Sequence, residues 1–155
     1  MALGYHFTTT LSIDGATVLT ADGDRVGAGT RLTVVKDGVA VQYVITPAGT
    51  WIKPDAAEWQ RLETPSAPYD PIAALEAPTS VAATAVDGTA TQLDVVVPAA
   101  SLGLAADAPA LTLTVRVDNG TITSVGYATI VNSHPAVMQA TIGAVVDGSA
   151  VVAPI

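Results

Sequence analysis

Apolar and polar residues alternate with a period of two through most of the chain, and turn signals interrupt the alternation at short intervals. In GYHFTTTLSI, Tyr5, Phe7, Leu11 and Ile13 fall on one side with Thr9 among them, and His6, Thr8, Thr10 and Ser12 fall on the other. Successive side chains of a strand point to opposite faces, so this is the pattern of a half-buried strand. Asp14-Gly15 then predicts a turn, and ATVLT a second strand ending at Ala21-Asp22-Gly23. RVGAGTRLTVV predicts a third, in which Gly27 and Gly29 suggest a bend or a close backbone approach. Lys36-Asp37-Gly38 predicts a hairpin, because Asp-Gly suits the left-handed angles of a type I′ turn. VAVQYVIT places Val39, Val41, Tyr43 and Ile45 on one face. Pro47-Ala48-Gly49 turns into TWIK, and EWQRL reads as a helical turn after Pro54-Asp55 or, in preference, as a partner strand, giving a hairpin with Trp51 on one arm and Trp59 on the other.

The pattern breaks at Thr64–Tyr69, a Pro-rich loop, and at DPIAALEAP, residues 70–78. Asp70 suits an N-cap, Pro71 the first helical position, and Pro78 a stop, with Ile72 and Leu75 on one face. So short a helix is unstable alone and must dock on something apolar. The hairpin grammar then resumes. SVAATAV turns at Asp87-Gly88 into TATQLDVVV, and PAASLGLAADA predicts a second helical turn with Leu102 and Leu104 inward. PALTLTVRV alternates strictly and turns at Asp118-Asn119-Gly120 into TITSVGYATIV. VMQATIGAVV and SAVVAPI, joined at Asp147-Gly148, predict a final hairpin after the loop NSHPA. Short turns between roughly ten or eleven strands predict one antiparallel sheet in a single domain. A twisted sheet of that size curls, and its inner face needs an apolar cover.

Composition sharpens this reading. Half of the 155 residues are apolar, 13% are charged and 5% aromatic, so the chain folds around a core of small aliphatic side chains. Such a lining either packs tightly or leaves a void for a ligand. The net charge of −8 opposes binding to nucleic acid or to an anionic bilayer surface. The absence of cysteine excludes thiolate metal sites, iron–sulfur clusters, cysteine nucleophiles and disulfides. No apolar run reaches the ~20 residues of a membrane-spanning helix. MALGYHF carries no signal-peptide pattern, and the chain opens almost at once into a strand. We therefore expect an N-terminally trimmed chain, with Met1 (or Met1 and Ala2) supplied by cloning.

Candidate chemistry is sparse. His6 and His134 lie far apart without cysteine, a weak metal set, and Ser133-His134 are neighbours whose side chains diverge. No Gly-x-Ser-x-Gly elbow is present. Asp22 and Asp24 supply two carboxylates where calcium requires six to eight oxygens. The Asp-Gly pairs are turn chemistry. Arg25, Arg31 and Arg116 read as solvated residues that guard strand edges, with an anionic headgroup site as the sharper alternative. No enzyme, no metal and no cofactor is expected.

The order of elements, TWIKPDAAEWQRL, then YDPIAALEAP, then VDGTATQLDVVVP and LTLTVRVDNGTITSVGY, resembles the bacterial lipoprotein-carrier superfamily of LolA-like and LppX/LprG-like lipoproteins. There a Trp-x-Lys strand and a second Trp strand precede an Asp-Pro helix, and a later strand carries Asp-x-Gly before its partner. The resemblance runs from Tyr5 to about Val131. It departs from the family in lacking the N-terminal helix and the lipobox cysteine, and in having less Leu and Phe. The Ala/Val/Thr/Asp-rich vocabulary resembles that of a high-GC actinobacterium. The resemblance implies a mostly β half-barrel whose concave side is covered by one or two short helices around an apolar pocket for acyl chains. On that basis the expected lining is Leu32, Val34, Val41, Tyr43, Leu113 and Val115 from the sheet and Ile72 and Leu75 from the lid. Trp51 and Trp59 are expected at the mouth, with core anchoring as the plainer role for either. The implied partner is a lipid or other amphiphile. The implied location is the cell envelope, outside the cytoplasm, with anchoring through an upstream cysteine. The alternative is a structural, interaction or sensor domain of the envelope that binds a protein partner.

Overall fold

Residues 4–63 and 72–154 are described by the computed structural model. Among them lie eleven strands: β1 (Gly4–Ile13), β2 (Ala16–Val26), β3 (Gly29–Lys36), β4 (Val39–Thr46), β5 (Gly49–Pro54), β6 (Gln60–Leu62), β7 (Ser80–Asp87), β8 (Ala90–Val97), β9 (Leu111–Asp118), β10 (Thr121–Val131) and β11 (His134–Gly143). They form one open antiparallel sheet in the order β6-β5-β4-β3-β2-β1-β11-β10-β9-β8-β7. Two meanders therefore stand side by side. One runs outward from β1 to the β6 edge, and the other returns from the β7 edge to β11. The β1–β11 pairing, Ile13 opposite Ala136 through His6 opposite Gly143, joins them at the middle of the sheet.

Two-residue turns with positive φ at both positions make four of the hairpins: Asp14 (50°) with Gly15 (80°), Asp37 (52°) with Gly38 (79°), Asn119 (51°) with Gly120 (77°), and Asn132 (50°) with Ser133 (68°). These are the angles whose twist matches that of the flanking strands. The last turn corrects the expected NSHPA loop, since His134 and Pro135 already belong to β11. The Asp22-Gly23 turn is also absent. β2 runs straight through it, paired on both sides, and reverses at Gly27-Ala28 instead. Gly23 is needed for closeness rather than for turning: a Cβ there would lie 2.5 Å from the Arg31 carbonyl oxygen. The expected last hairpin does not form either. Both edges of β11 are occupied by β1 and β10, so residues 144–154 cannot fold back onto it and carry no strand.

Register places Tyr5, Phe7, Thr9, Leu19, Ala21, Leu32, Val34, Val41 and Tyr43 on one face, together with Leu93, Val95, Leu113, Val115, Val125, Tyr127, Met138 and Ala140. That face carries two buried clusters. One is built on Phe7, Leu19, Ala21, Leu32 and Val34, and the other on Val95, Val97, Leu113, Val115, Val125 and Tyr127. A 3-10 turn at Ala73–Glu76 packs on the second cluster through Ala74, Ile72 and Leu75, and a 3-10 turn at Ala99–Leu102 does so through Leu102. The predicted helix start at Asp70-Pro71 and the loop Thr64–Tyr69 lie outside the described residues.

Glu76, beside the β8–β10 cluster, approaches Arg25 of β2 to 3.6 Å. In a flat sheet β2 and β8 would stand five strand spacings apart, about 24 Å. The ion pair reaches across the apolar face from the 73–76 turn to β2, as expected for a sheet that curls with that face inward. The sheet is half-barrel-like, apolar inside and polar outside.

Candidate functional site

The inner face decides what the domain can hold. Its middle is narrow-chained: Thr9 stands between Ala140 on β11 and Ala21 on β2, all at 0–1% exposure. Larger side chains flank this row. In the row of Phe7 lie Ile142, Gly23, Leu32, Tyr43 and Ile52. Toward β4 the same face opens into a hollow of about 350 Å³, lined by Leu19, Val34, Val39, Val41 and Tyr43, with Lys36 and Asp37 at its edge.

The residues expected to line one pocket thus separate into three places. Val34, Val41 and Tyr43 meet at the β2–β4 hollow, with Leu32 buried in the cluster beneath them. Leu113 and Val115 are buried in the other cluster, under Ile72 and Leu75. The two tryptophans are not at the mouth of the inner hollow. Thr50 and Ile52 pair with the inward Ile45 and Tyr43, so Trp51, between them, points outward opposite Val44. There the Arg61 guanidinium sits 5.6 Å from the centre of its ring. Trp59 precedes β6 and lines an outer hollow with Asp22, Thr33 and Gln42. Leu19, Val39 and Lys36 were missed as lining residues. Leu19 lies in ATVLT, and its alignment beside Leu11 across the β1–β2 hairpin was the available signal.

The outer face holds a polar clamp that local pattern does not reveal. Asp24 is 7% exposed. Its carboxylate accepts the backbone N–H groups of Val146 (2.9 Å) and Asp147 (3.3 Å) and lies 3.1 Å from His6 Nδ1. His6 Nε2 faces Asp22 at 3.2 Å. Arg31 stands 3.7 Å from Asp24 and 3.1 Å from the Asp147 carboxylate, and donates to Ser149 Oγ at 3.0 Å and to the Asp147 carbonyl oxygen. Val151 presses on Gly29, where a Cβ would come within 2.6 Å of its own Cβ. The clamp straps the segment after β11 across the outer face of β1–β3. The three arginines named above do not converge. Arg25 faces inward to Glu76, Arg31 holds the strap, and Arg116 pairs with Asp118 at 3.0 Å. His134 faces Asp14 at 2.7 Å across two hairpin tips.

Burial would raise the Asp24 pKa, but the Val146 amide, the His6 side chain and the Asp147 amide outweigh it and hold the carboxyl below its usual range. A depressed folded-state pKa contributes stability that is complete above the unfolded value of about 3.9 and is lost as pH falls through the lower folded value. Asp24→Asn is therefore expected to flatten the acid limb of the stability curve. It should also remove amide-exchange protection at Val146 and Asp147, while β11 keeps its own. Unchanged protection at those two amides would show that the strap is held by other contacts.

Among the described residues no group of three or more His, Cys, Asp or Glu side chains is placed to hold a metal ion, and no helix is long and apolar enough to cross a membrane. Neither the protein-family models nor the curated proteins searched match this chain.

Proposed function

We propose that the domain is a binding module that holds an amphiphile against the inner face of its half-barrel. The observation that carries this is the β2–β4 hollow, with a floor of Leu19, Val34, Val39, Val41 and Tyr43 and a lysine at its edge. A hollow of this size is at the small end of ligand pockets. An acyl chain needs no directional partner there, since each buried methylene contributes about 0.8 kcal/mol, and Lys36 and Asp37 at the edge suit a polar headgroup. In this reading the 73–76 and 99–102 turns roof only the β8–β10 half of the concavity, which leaves the β2–β4 half for ligand. The same reading sets the domain in the cell envelope, tethered through an upstream cysteine as in the lipoprotein carriers it resembles.

The test is organic extraction of the purified chain followed by mass spectrometry, and native mass spectrometry after incubation with a fatty acid, a phospholipid and a diacylglycerol. A stoichiometric amphiphile in either arm is expected. An empty chain in both arms overturns the reading.

A second reading, a protein-interaction domain, is favoured by the β7 edge. All eight of its residues are exposed, with Val81 at 55% and Val86 at 71%, and no charge precedes Asp87. Uncharged edges of this length accept a further strand. Amide protection gained in Ser80–Asp87 on adding a peptide, in a chain that binds no amphiphile, would favour that reading over the first.

A further inference from the structure

The outer face carries a second concavity, lined by both polar and apolar groups. Thr8, Asp22, Thr33, Gln42 and Lys53 are cross-strand neighbours in one row across β1 to β5, all pointing outward. Such a row gives a level polar floor, because paired residues on adjacent strands lie only about 5 Å apart. The chain then leaves β5, bends at Ala56 (φ 57°) with the Ala57 N–H donating to the Pro54 carbonyl oxygen, and returns over this floor. Two hollows result. One, of about 310 Å³, lies between Trp59, Gln42, Val44, Thr33 and Asp22, and the other, of about 370 Å³, lies between Gln42, Lys53 and the 55–58 bend. They adjoin at Gln42, which lines both.

The donor and acceptor set of this groove is mixed. Asp24 and Arg31 border it but are committed to the strap. Asp22, with its side chain 66% exposed, keeps acceptor capacity at Oδ1, since the Thr8 hydroxyl (3.1 Å) and His6 Nε2 (3.2 Å) both meet Oδ2. Gln42 offers both an acceptor and two donors, Thr33 a hydroxyl, and Trp59 an amphipathic ring. A sugar matches each part: its hydroxyls both donate and accept, and its C–H side is an apolar surface for an indole. An organic cation would use Asp22 and Trp59 but leave the Gln42 and Thr33 donors idle. A phosphate would meet Lys53 only beside Asp55 and Glu58, and in the other hollow Asp22 and Asp24 offset Arg31, while an acyl chain would bury the Asp22, Thr33 and Gln42 side chains without partners.

We propose that the groove between Trp59 and Asp22 is a saccharide-binding site, with Trp59 as its platform and Asp22, Thr33 and Gln42 as its hydroxyl partners. It lies on the face opposite the apolar hollow, so it does not depend on amphiphile binding.

The experiment is an NMR titration of the isotopically labelled full chain with glucose, mannose, galactose, arabinose and N-acetylglucosamine, and with their oligomers, alongside choline and inorganic phosphate. With one of the sugars or its oligomer the Trp59 indole N–H and the Gln42 side-chain amide should shift together, with Kd in the range of about 0.1–1 mM. The Trp51 indole N–H, on a ring covered by the Arg61 guanidinium, should stay in place. Trp59→Ala should abolish the response, and Gln42→Ala and Asp22→Asn should each weaken it about fivefold. The last two positions are exposed and should keep the native amide spectrum. Trp51→Phe should leave binding unchanged. A groove silent to every sugar overturns the proposal, as does a response to choline or phosphate alone, or sugar binding that survives Trp59→Ala.

Discussion

Phe7→Ala is expected to lower the unfolding free energy by about 4 kcal/mol, near the upper part of the range for large-to-small core changes. Phe7 is fully buried on β1, at the seam where the two meanders meet. Its neighbours cannot close the gap left by a missing ring. Across the strands stand Gly23 and Ile142, and the next inward residue along β1 is Thr9, flanked by Ala21 and Ala140. Tyr5, whose ring lies 6.3 Å away at a 56° tilt, has its own place on the sheet. The loss should appear as a lower urea midpoint at unchanged m-value and as a melting temperature lower by about 10 °C. Val152→Ala, at a position 72% exposed, should change stability by less than about 0.5 kcal/mol. A loss below about 2 kcal/mol for Phe7→Ala would mean that the inner face is not closed around this ring.

What the sequence revealed and what it concealed follow from the range of the forces involved. Alternation and turn dipeptides act over a few residues, so the hairpins built on Asp14-Gly15, Asp37-Gly38 and Asn119-Gly120 were legible. The same Asp-Gly signal misled at residues 22–23 and 147–148, where the deciding partners are distant in sequence. Asp22 takes the Thr8 hydroxyl, and Asp24 takes the amides of Val146 and Asp147. Continuous ladders on both sides of β2 outweigh a local turn preference, and the clamp turns an expected strand into a strap.

The inner face was legible as a set of apolar positions, but its division was not. Nothing in the alternation of LTLTVRV distinguishes Leu113, which is packed under Ile72 and Leu75, from Val41, which borders a hollow. That difference comes from which strands lie under the 73–76 turn, a consequence of the β1–β11 pairing that places the two meanders in one sheet. The tryptophans show the opposite case. Their size invited a place inside, yet parity alone sends Trp51 outward once Thr46 pairs with Gly49 and Ile45 with Thr50. Reading the register before the residue type would have placed it correctly.

Val41→Lys should reduce binding of a fluorescent long-chain alcohol, chosen because it is uncharged, by a factor of about ten or more. Val41 is half-buried and borders the inner hollow beside Val34 and Tyr43. A lysine stem there fills space that two or three methylenes of ligand would take, and at about 0.8 kcal/mol each their exclusion costs more than tenfold in affinity. The fold should tolerate the change, since the ammonium can reach water at the open side of the hollow while its stem stays on the apolar floor. Val137→Lys is the control. Val137 is 49% exposed and lies opposite Ser12 on the outer face, so the same change of charge there should leave probe affinity as it was. If both variants bind like the parent chain, the probe does not enter the β2–β4 hollow. If both lose binding equally, the net charge of the domain governs uptake and the inner face does not.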